Sequence, residues 1–367
     1  LNDVIAHHGM LRTIILPSGM HKELSAVPYY HMEFTDFCQC TEEEIQQEIL
    51  KKRQKYSHYV FSTDQWPLFK VECFKLPAGE NYMFLSIDLL IADGSSIRIF
   101  IRDIVNRYLN PTMQLPEQEG DFYEFIREMD GLQAKPIYKK SVKYWKDKIV
   151  EMPFAPRIPQ KRDAVSSSRF SRLAYHMLHE KWERLKEIIQ QKNNIPTVVL
   201  CTAFAKVLSY WCSQSHFTLN VTLSNRGRGQ MKYANTIGDF TSLMLMEIQD
   251  DMGDDFWTSA EKLKKSFMKA YMYNSYDGLK VARDAARYHN MEGEVLFPVV
   301  FTSLIGGEIG KTLQPIMGEM KYSISQTPQV YLDFQVSEMK NQLHLTWDFL
   351  EDRFDYDMMR IMFEQMC

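Results

Sequence analysis

Apolar and polar positions recur along this chain with two periods. Between residues 82 and 92, Met83, Leu85, Ile87, Leu89 and Ile91 share one parity, and Phe84, Ser86, Asp88, Leu90 and Ala92 share the other. A period of two predicts a strand, and residues 67–75 read as a second one. Asp93-Gly94-Ser95-Ser96 breaks the pattern. Ile97, Phe100, Ile101, Ile104, Val105 and Tyr108 then share one face of a helix that Asn110-Pro111 ends. Residues 40–58 open on Thr41-Glu42-Glu43-Glu44 and predict a capped helix with acids in its first turn. Residues 121–150 also read as helical. Further on, strands at 170–178, 216–224, 295–304, 329–337 and 342–348 accompany helices at 180–192, 196–213 and 254–275. Helices and strands mixed without strict βαβ repetition predict α+β layers. Residues 1–12 read as a helix already under way and 359–367 as an amphipathic helix without a stop signal, so the expectation is a piece of a longer protein.

At roughly 100–200 residues per domain, 367 residues predict two domains or lobes. The boundary is expected near 152–168, where Pro153, Pro156 and Pro159 are followed by Ser166-Ser167-Ser168. Because proline restricts φ, this is read as an extended, ordered linker. The division is then 1–155 for a first lobe, 156–163 for the linker and 164–367 for a second lobe. Hydrophobic residues make up 45% and charged residues 25%, which excludes disorder as the main state. A net charge of −4 disfavours a nucleic-acid partner, which needs a basic footprint. No apolar run approaches the ~20 residues of a membrane helix, so no membrane partner is expected. Cys38, Cys40, Cys73, Cys201, Cys212 and Cys367 are too few and scattered for a disulfide framework and read as reduced thiols of a cytoplasmic protein.

Familiar cofactor signatures are missing from the sequence. There is no Gly-x-Gly-x-x-Gly, no Gly-Lys-Ser/Thr phosphate loop and no Gly-x-Ser-x-Gly elbow. The run Gly306 to Gly310 and the string Arg226-Gly227-Arg228-Gly229 are read as turns. His7 and His8 are adjacent on a helix and diverge, and Cys38-Gln39-Cys40 is a poor zinc signature, so no metal is expected. Three stretches carry candidate chemistry. In Asp88-Leu89-Leu90-Ile91-Ala92-Asp93, an acid inside an apolar strand needs a partner, and Asp93 suits a helix cap. From the residues alone, a structural acid and a cap remain the plainer reading. Thr302, within Phe297-Pro298-Val299-Val300-Phe301-Thr302-Ser303, reads in isolation as an ordinary β-branched strand residue. In the third stretch Val330, Leu332, Phe334 and Val336 share one face, and Tyr331, Asp333 and Gln335 form a polar row on the other. That row faces either solvent or a channel.

Taken together, the strings resemble the heterocyclization domains of nonribosomal peptide synthetases, a branch of the condensation-domain superfamily with the chloramphenicol-acetyltransferase-like fold. Where ordinary condensation domains carry His-His-x-x-x-Asp-Gly, this chain has Asp88 and Leu89 before Asp93-Gly94. Asp88, Asp93 and Ser96 instead spell the Asp-x4-Asp-x2-Ser of the heterocyclization branch. His8-Gly9-Met10-Leu11-Arg12 is similar to the branch's early string, with His7 in place of an arginine. Pro196-Thr197, Ala203-Phe204-Ala205, Asn220, Arg226 and Gly238-Asp239-Phe240-Thr241 match its long central motif, apart from Gly227 where a proline-containing turn is common. Val299 to Ser303, Gln326-Thr327-Pro328-Gln329 with Asp333 and Gln335, and Trp347-Asp348 match its last strings.

The resemblance implies two similar lobes in a V-shaped pseudo-dimer with a tunnel between them. It implies amide formation between an upstream carrier-bound acyl or peptidyl thioester and a carrier-bound Cys, Ser or Thr, followed by cyclodehydration to a thiazoline or oxazoline. No cofactor is bound directly; phosphopantetheine arms of upstream and downstream peptidyl carrier domains present the substrates, with an adenylation domain as neighbour. By match, Asp333 is the acid/base group, Thr302 holds the intermediate or orients Asp333, and Asn220 is a third polar group at the tunnel. Gln335, Tyr331 and Ser303 are further lining candidates. Asp93 pairs with a cation such as Arg226 and holds the lobes together, with Asp88 and Ser96 in the same structural motif. The competing readings are amide formation alone, a catalytically silent scaffold module, and an acyltransferase using free coenzyme A.

Overall fold

The computed structural model describes residues 1–162, 169–226, 231–251, 253–305, 318–339 and 341–367. Ser166 to Ser168, Gly227 to Gly229 and the run Gly306 to Gly310, all singled out in the sequence, lie outside the described residues. The chain forms two compact units. One holds Leu1–Arg127, Asn225–Phe240 and Thr312–Glu319; the other holds Glu128–Ser224, Thr241–Lys311 and Met320–Cys367.

In chain order the first unit begins with α1 (Asn2–His7), the antiparallel pair β1 (Thr13–Ile15) and β2 (His21–Glu23), β3 (Glu33–Asp36) and α2 (Glu42–Tyr56). It continues with β4 (Phe69–Lys75), β5 (Asn81–Ile87), α3 (Gly94–Leu109) and α4 (Phe122–Leu132), which runs past the unit's edge. β3, β4 and β5 form a three-stranded sheet, β3 parallel and β5 antiparallel to β4. α2 starts on a full capping box: the Thr41 hydroxyl accepts from Glu44 N at 3.3 Å, and the Glu44 carboxylate accepts from Thr41 N at 2.8 Å. Two orphan amides are thereby satisfied. The helix then buries Ile45 and Ile49 with Phe37 and Phe74.

The strand expected over 82–92 ends at Ile87. Asp88 Oδ1 accepts from Leu90 N at 2.9 Å and its carbonyl accepts from Ile91 N at 3.1 Å, a turn built by the aspartate's own side chain. Asp88 is therefore a turn former and not an acid inside an apolar strand, and Leu89 and Leu90 are exposed.

The second unit contains α5 (Pro136–Lys148), β6 (Phe170–Met177), α6 (His179–Gln191), α7 (Pro196–Cys212), β7 (His216–Ser224), β8 (Thr241–Gln249), α8 (Phe256–Met272), α9 (Gly278–Tyr288), β9 (Val299–Leu304), β10 (Leu332–Met339), β11 (Gln342–Leu350) and α10 (Tyr356–Met366). Its six strands form one mixed sheet in the order β6-β11-β10-β9-β7-β8. β9 runs parallel to both β10 and β7, and the other pairs are antiparallel. The register aligns Leu173, Trp347, Phe334, Phe301, Val221 and Met244 in one row across the sheet. All six are buried. Phe204 of α7 packs on that row, 5.0 Å from the Phe334 ring centre and 5.5 Å from Trp347. Burying these aromatics, at roughly 25 cal/mol per Å² of apolar surface, is what seats α7 on this face. Since side chains alternate, the residues one step along each strand occupy the other face.

The compact units divide the chain differently from the expected linker at 156–163. Met152 and Ile158 are buried in the second unit's core, Phe154 O accepts from Thr218 N at 2.9 Å, and Ala155 N donates to Leu296 O at 3.2 Å. The prolines hold this segment extended so that it docks along the second unit. No single described helix is long and apolar enough to cross a membrane.

Candidate active site

The polar row expected on one strand extends across the sheet. Arg172 on β6 pairs in register with Asp348 on β11, and Asp348 with Asp333 on β10. Asp333 pairs with Val300 on β9, and Val300 with Asn220 on β7. Two residues along each strand, on the same face, lies the row Ala174, Thr346, Gln335, Thr302 and Thr222. Asp333, Gln335, Thr302 and Asn220 therefore share the face opposite the aromatic core.

Thr302 Oγ1 donates to Asp333 Oδ1 at 3.0 Å, and Gln335 Nε2 donates to Asp333 Oδ2 at 2.7 Å. Burial pushes the Asp333 carboxyl up to about 7, and the like charge of Asp348 adds to this; the Gln335 and Thr302 hydrogen bonds and the Arg172 charge pull the other way without cancelling it. Burial penalises the charged form and a neighbouring carboxylate does the same. The group can therefore both donate and accept a proton near neutral pH.

A second layer surrounds this carboxyl. Arg172 Nε donates to Asp348 Oδ1 at 2.5 Å while its Nη2 reaches Oδ2, a two-pronged pair, and its Nη1 donates to the Ser323 hydroxyl. Ser325 Oγ donates to Asp348 Oδ2 at 2.8 Å and accepts from Gln335 Nε2 at 2.8 Å. Arg172 and Ser323 are not candidates from the sequence alone; Ser325 belongs to the third candidate stretch without a role of its own, and Asp348 enters only as part of a motif. Two signals existed: an aspartate inside the apolar strand Leu345-Thr346-Trp347-Asp348-Phe349, and an arginine in the strand at 170–178. Neither names its partner without the register.

Asn220 is on the same face, two strands from Asp333. Among the described residues its buried Oδ1 has no hydrogen-bond partner. Two lining candidates lie elsewhere. Ser303 falls on the core face of β9, because it alternates with Thr302, and its hydroxyl meets Thr197 Oγ1 at 2.9 Å at the start of α7. Tyr331 precedes β10, and the Arg353 guanidinium stacks 3.8 Å from its ring centre.

The acidic motif forms a separate cluster inside the first unit. Asp93 Oδ1 caps α3 by accepting from Ser96 N at 2.7 Å, and also accepts from Arg226 Nη2 at 2.8 Å. Ser96 Oγ donates to Gly238 O at 2.7 Å and accepts from Gly238 N at 3.0 Å and Arg226 Nη2 at 2.8 Å. The Arg226 guanidinium lies 4.1 Å from the Phe240 ring centre. The expected Asp93–Arg226 pair is present, and all its members belong to one unit. Asp88 stays in its own turn. The opening histidines are structural: His8 Nε2 meets Asp103 Oδ2 at 2.8 Å and His7 Nε2 meets Pro116 O at 3.0 Å. Among the described residues, no group of three or more His, Cys, Asp or Glu is placed to hold a metal.

The mixed sheet with helices packed on its aromatic face is the chloramphenicol-acetyltransferase-like α+β fold shared with solved cyclization-domain structures. Within that class the chain belongs to the condensation-domain family, whose model matches residues 1–367. It is 34% identical over its whole length to bacitracin synthase 1 of Bacillus licheniformis and spans 7% of that protein. It is 26% identical over 95% of its length to the pyochelin synthetase PchF of Pseudomonas aeruginosa, and 28% identical over 97% to the phenyloxazoline synthase MbtB of Mycolicibacterium paratuberculosis. It spans 19% and 30% of those two proteins. Among solved structures it superposes on the EpoB cyclization-docking bidomain from Sorangium cellulosum with a TM-score of 0.90, at 28% identity, covering 99% of this chain and 74% of the other. The chain is thus a condensation-superfamily domain of nonribosomal peptide synthetases.

Proposed function

We propose that this chain is a heterocyclization domain, and the observation that carries the reading is the Asp333 carboxyl held between Thr302 and Gln335 on the sheet face opposite the core, where burial pushes it up to about 7. Leu89 stands where ordinary condensation domains have a histidine, so their usual base is missing. Likeness to synthetases of pyochelin and phenyloxazoline and to a cyclization domain supports the same reading.

The substrates arrive on phosphopantetheine arms of upstream and downstream carrier domains. The acceptor amine attacks the upstream thioester carbonyl; the C–S bond breaks, the amine proton goes to the departing thiol, and an amide forms. The acceptor's side-chain thiol or hydroxyl then adds to the amide carbonyl carbon, and its proton passes to the oxygen. Asp333 protonates the resulting hydroxyl, which leaves as water. The ring nitrogen's electron pair forms the C=N bond, and its proton returns to the Asp333 carboxylate. One water is lost and Asp333 is restored. Positioning the two thioesters supplies much of the first step's rate. Thr302 orients the acid, and the unpartnered Asn220 Oδ1 suits a substrate N–H.

The test is intact-mass analysis of the acceptor carrier, loaded with Cys, Ser or Thr and mixed with the protein and an acyl-loaded donor carrier. Loss of one water mass beyond the amide product supports ring formation and identifies the nucleophile. An amide that never loses water with any of the three acceptors leaves plain condensation, the reading that the bacitracin synthase likeness keeps open. No amide at all points to a silent scaffold.

A further inference from the structure

Asp348 is fully buried and sits directly across from Asp333 in the β10–β11 register. A buried carboxylate persists only when paired and hydrogen-bonded. Its partners come from two further elements: the Arg172 guanidinium from β6, and the Ser325 hydroxyl and amide, at 2.8 and 3.3 Å, from the segment before β10. A bidentate arginine–carboxylate pair fixes orientation as well as charge.

The same groups hold Gln335. Its Oε1 accepts from Arg172 Nη2 at 3.4 Å, while its Nε2 faces Ser325 Oγ at 2.8 Å, Asp348 Oδ2 at 3.2 Å and Asp333 Oδ2 at 2.7 Å. A flipped amide would set its NH2 against the guanidinium and its carbonyl against two carboxyls. The arginine and Asp348 therefore dictate which end of Gln335 meets Asp333.

We propose that Arg172, Asp348 and Ser325 form a positioning frame for Asp333, aiming the Gln335 amide at its carboxyl and fixing a like charge one strand away. None of the three hydrogen-bonds Asp333 directly; they act through Gln335 and through the Asp348 charge. The inference rests on Asp333 being the acid of the dehydration step. The charges that face Asp333 are those of Asp348 on β11 and Arg172 on β6, while β9 presents Thr302 and Val300 and the segment before β10 presents Ser323 and Ser325.

The two parts of the frame have separate signatures. Asp348→Asn keeps the shape but removes the like charge and leaves the arginine's positive charge uncompensated. Both changes favour ionised Asp333, so dehydration should fail at lower pH than in the parent protein. Ser325→Ala keeps the charges but loosens Gln335, whose hydrogen bond pulls the Asp333 carboxyl down, so dehydration should slow with no downward move of the profile.

The experiment measures amide formation and water loss separately, by intact mass of the Cys-loaded acceptor carrier, from pH 6 to 9. Expected for Asp348→Asn is a downward move of the dehydration profile by on the order of one pH unit, with amide formation unchanged. Expected for Ser325→Ala is a severalfold slower dehydration without that move. A profile for Asp348→Asn that overlays the parent's, or amide formation and dehydration falling together in both variants, overturns the frame. Should Asp348→Asn not fold, Ser325→Ala decides: a selective loss of dehydration supports the frame, and parental rates overturn it. If the parent protein's dehydration shows no decline as pH rises through about 7, the assignment of Asp333 itself fails, an outcome distinct from failure of the frame alone.

Discussion

Asp333 and Asp348 are register partners on β10 and β11, yet only Asp348 receives the two-pronged Arg172 guanidinium. Asp333 is left with two neutral donors, Thr302 and Gln335. Two carboxyls side by side, one ion-paired and one not, divide into a fixed charge and a proton carrier. That asymmetry is the feature on which the proposed proton transfer at Asp333 rests.

Replacing Asp333 by Asn keeps the size of the side chain and the Gln335 and Thr302 neighbours but removes the exchangeable acid. Amide formation should continue and ring closure should drop by about 10²-fold or more, the usual size of a general acid's contribution. Thr302→Val, which removes one donor at 3.0 Å, should reduce ring closure less. The ratio of cyclized to uncyclized product on the acceptor carrier measures both. Equal losses in amide and ring would assign Asp333 to structure.

The Asp333 proton also ties stability to pH. Its carboxyl is raised from 3.8 to about 7 in the fold. Between those values the native protein holds a proton that the unfolded chain has released, so stability falls as pH rises through that window and levels off above it. Asp333→Asn escapes the cost of ionising a buried acid. Its melting temperature relative to the parent should therefore be higher at pH 8 than at pH 5, and thermal unfolding at both pH values reads the difference. The same difference at both pH values would show that the carboxyl is ionised throughout.

Much of this was legible from pattern. Alternation at Leu332, Phe334 and Val336 put Asp333 and Gln335 on one face, and the fold keeps them there. The Asp93–Arg226 pair was also anticipated. What the pattern lacked was the sheet order. Arg172 and Asp348 are far apart in sequence and meet only because β6 lies beside β11. Alternation on its own extended β5 too far, since an Asx turn at Asp88 outweighs the apolar parity of Leu89 and Ile91. Ser303 meets Thr197 on the core face while Thr302 meets Asp333 on the other, because neighbours on a strand face opposite ways. β8 and α9 were not read at all, and the prolines that suggested a linker instead hold a segment against the second unit's core.

Asp93 serves two functions in one side chain, capping α3 and pairing with Arg226. Asp93→Ala removes both and takes the Asp93 carboxylate from a buried guanidinium, so unfolding free energy should drop by about 3–5 kcal/mol. Asp93→Asn preserves the cap and should cost less. Denaturant unfolding ranks the two variants. The surviving folded fraction should form ring and amide in the parental ratio, because the hydrogen bonds that hold Asp333 come from Thr302 and Gln335 and not from this cluster.

Gly238 is required for space. A Cβ there would come within 2.3 Å of Phe122 Cδ2 and 2.7 Å of its Cγ, ring atoms that have no free end to swing away. The Gly238 backbone is held on its other side by both Ser96 hydrogen bonds. Either the ring of α4 or the Ser96–Arg226 cluster must move. Gly238→Ala should cost about 1–3 kcal/mol, the range for overpacking a filled core. Phe122→Leu, itself destabilising, should make the alanine less costly than it is beside the ring. A double-mutant cycle by denaturant unfolding gives the coupling. Strict additivity would mean that the ring is not what excludes the methyl group, and would move the explanation to the Ser96 hydrogen bonds.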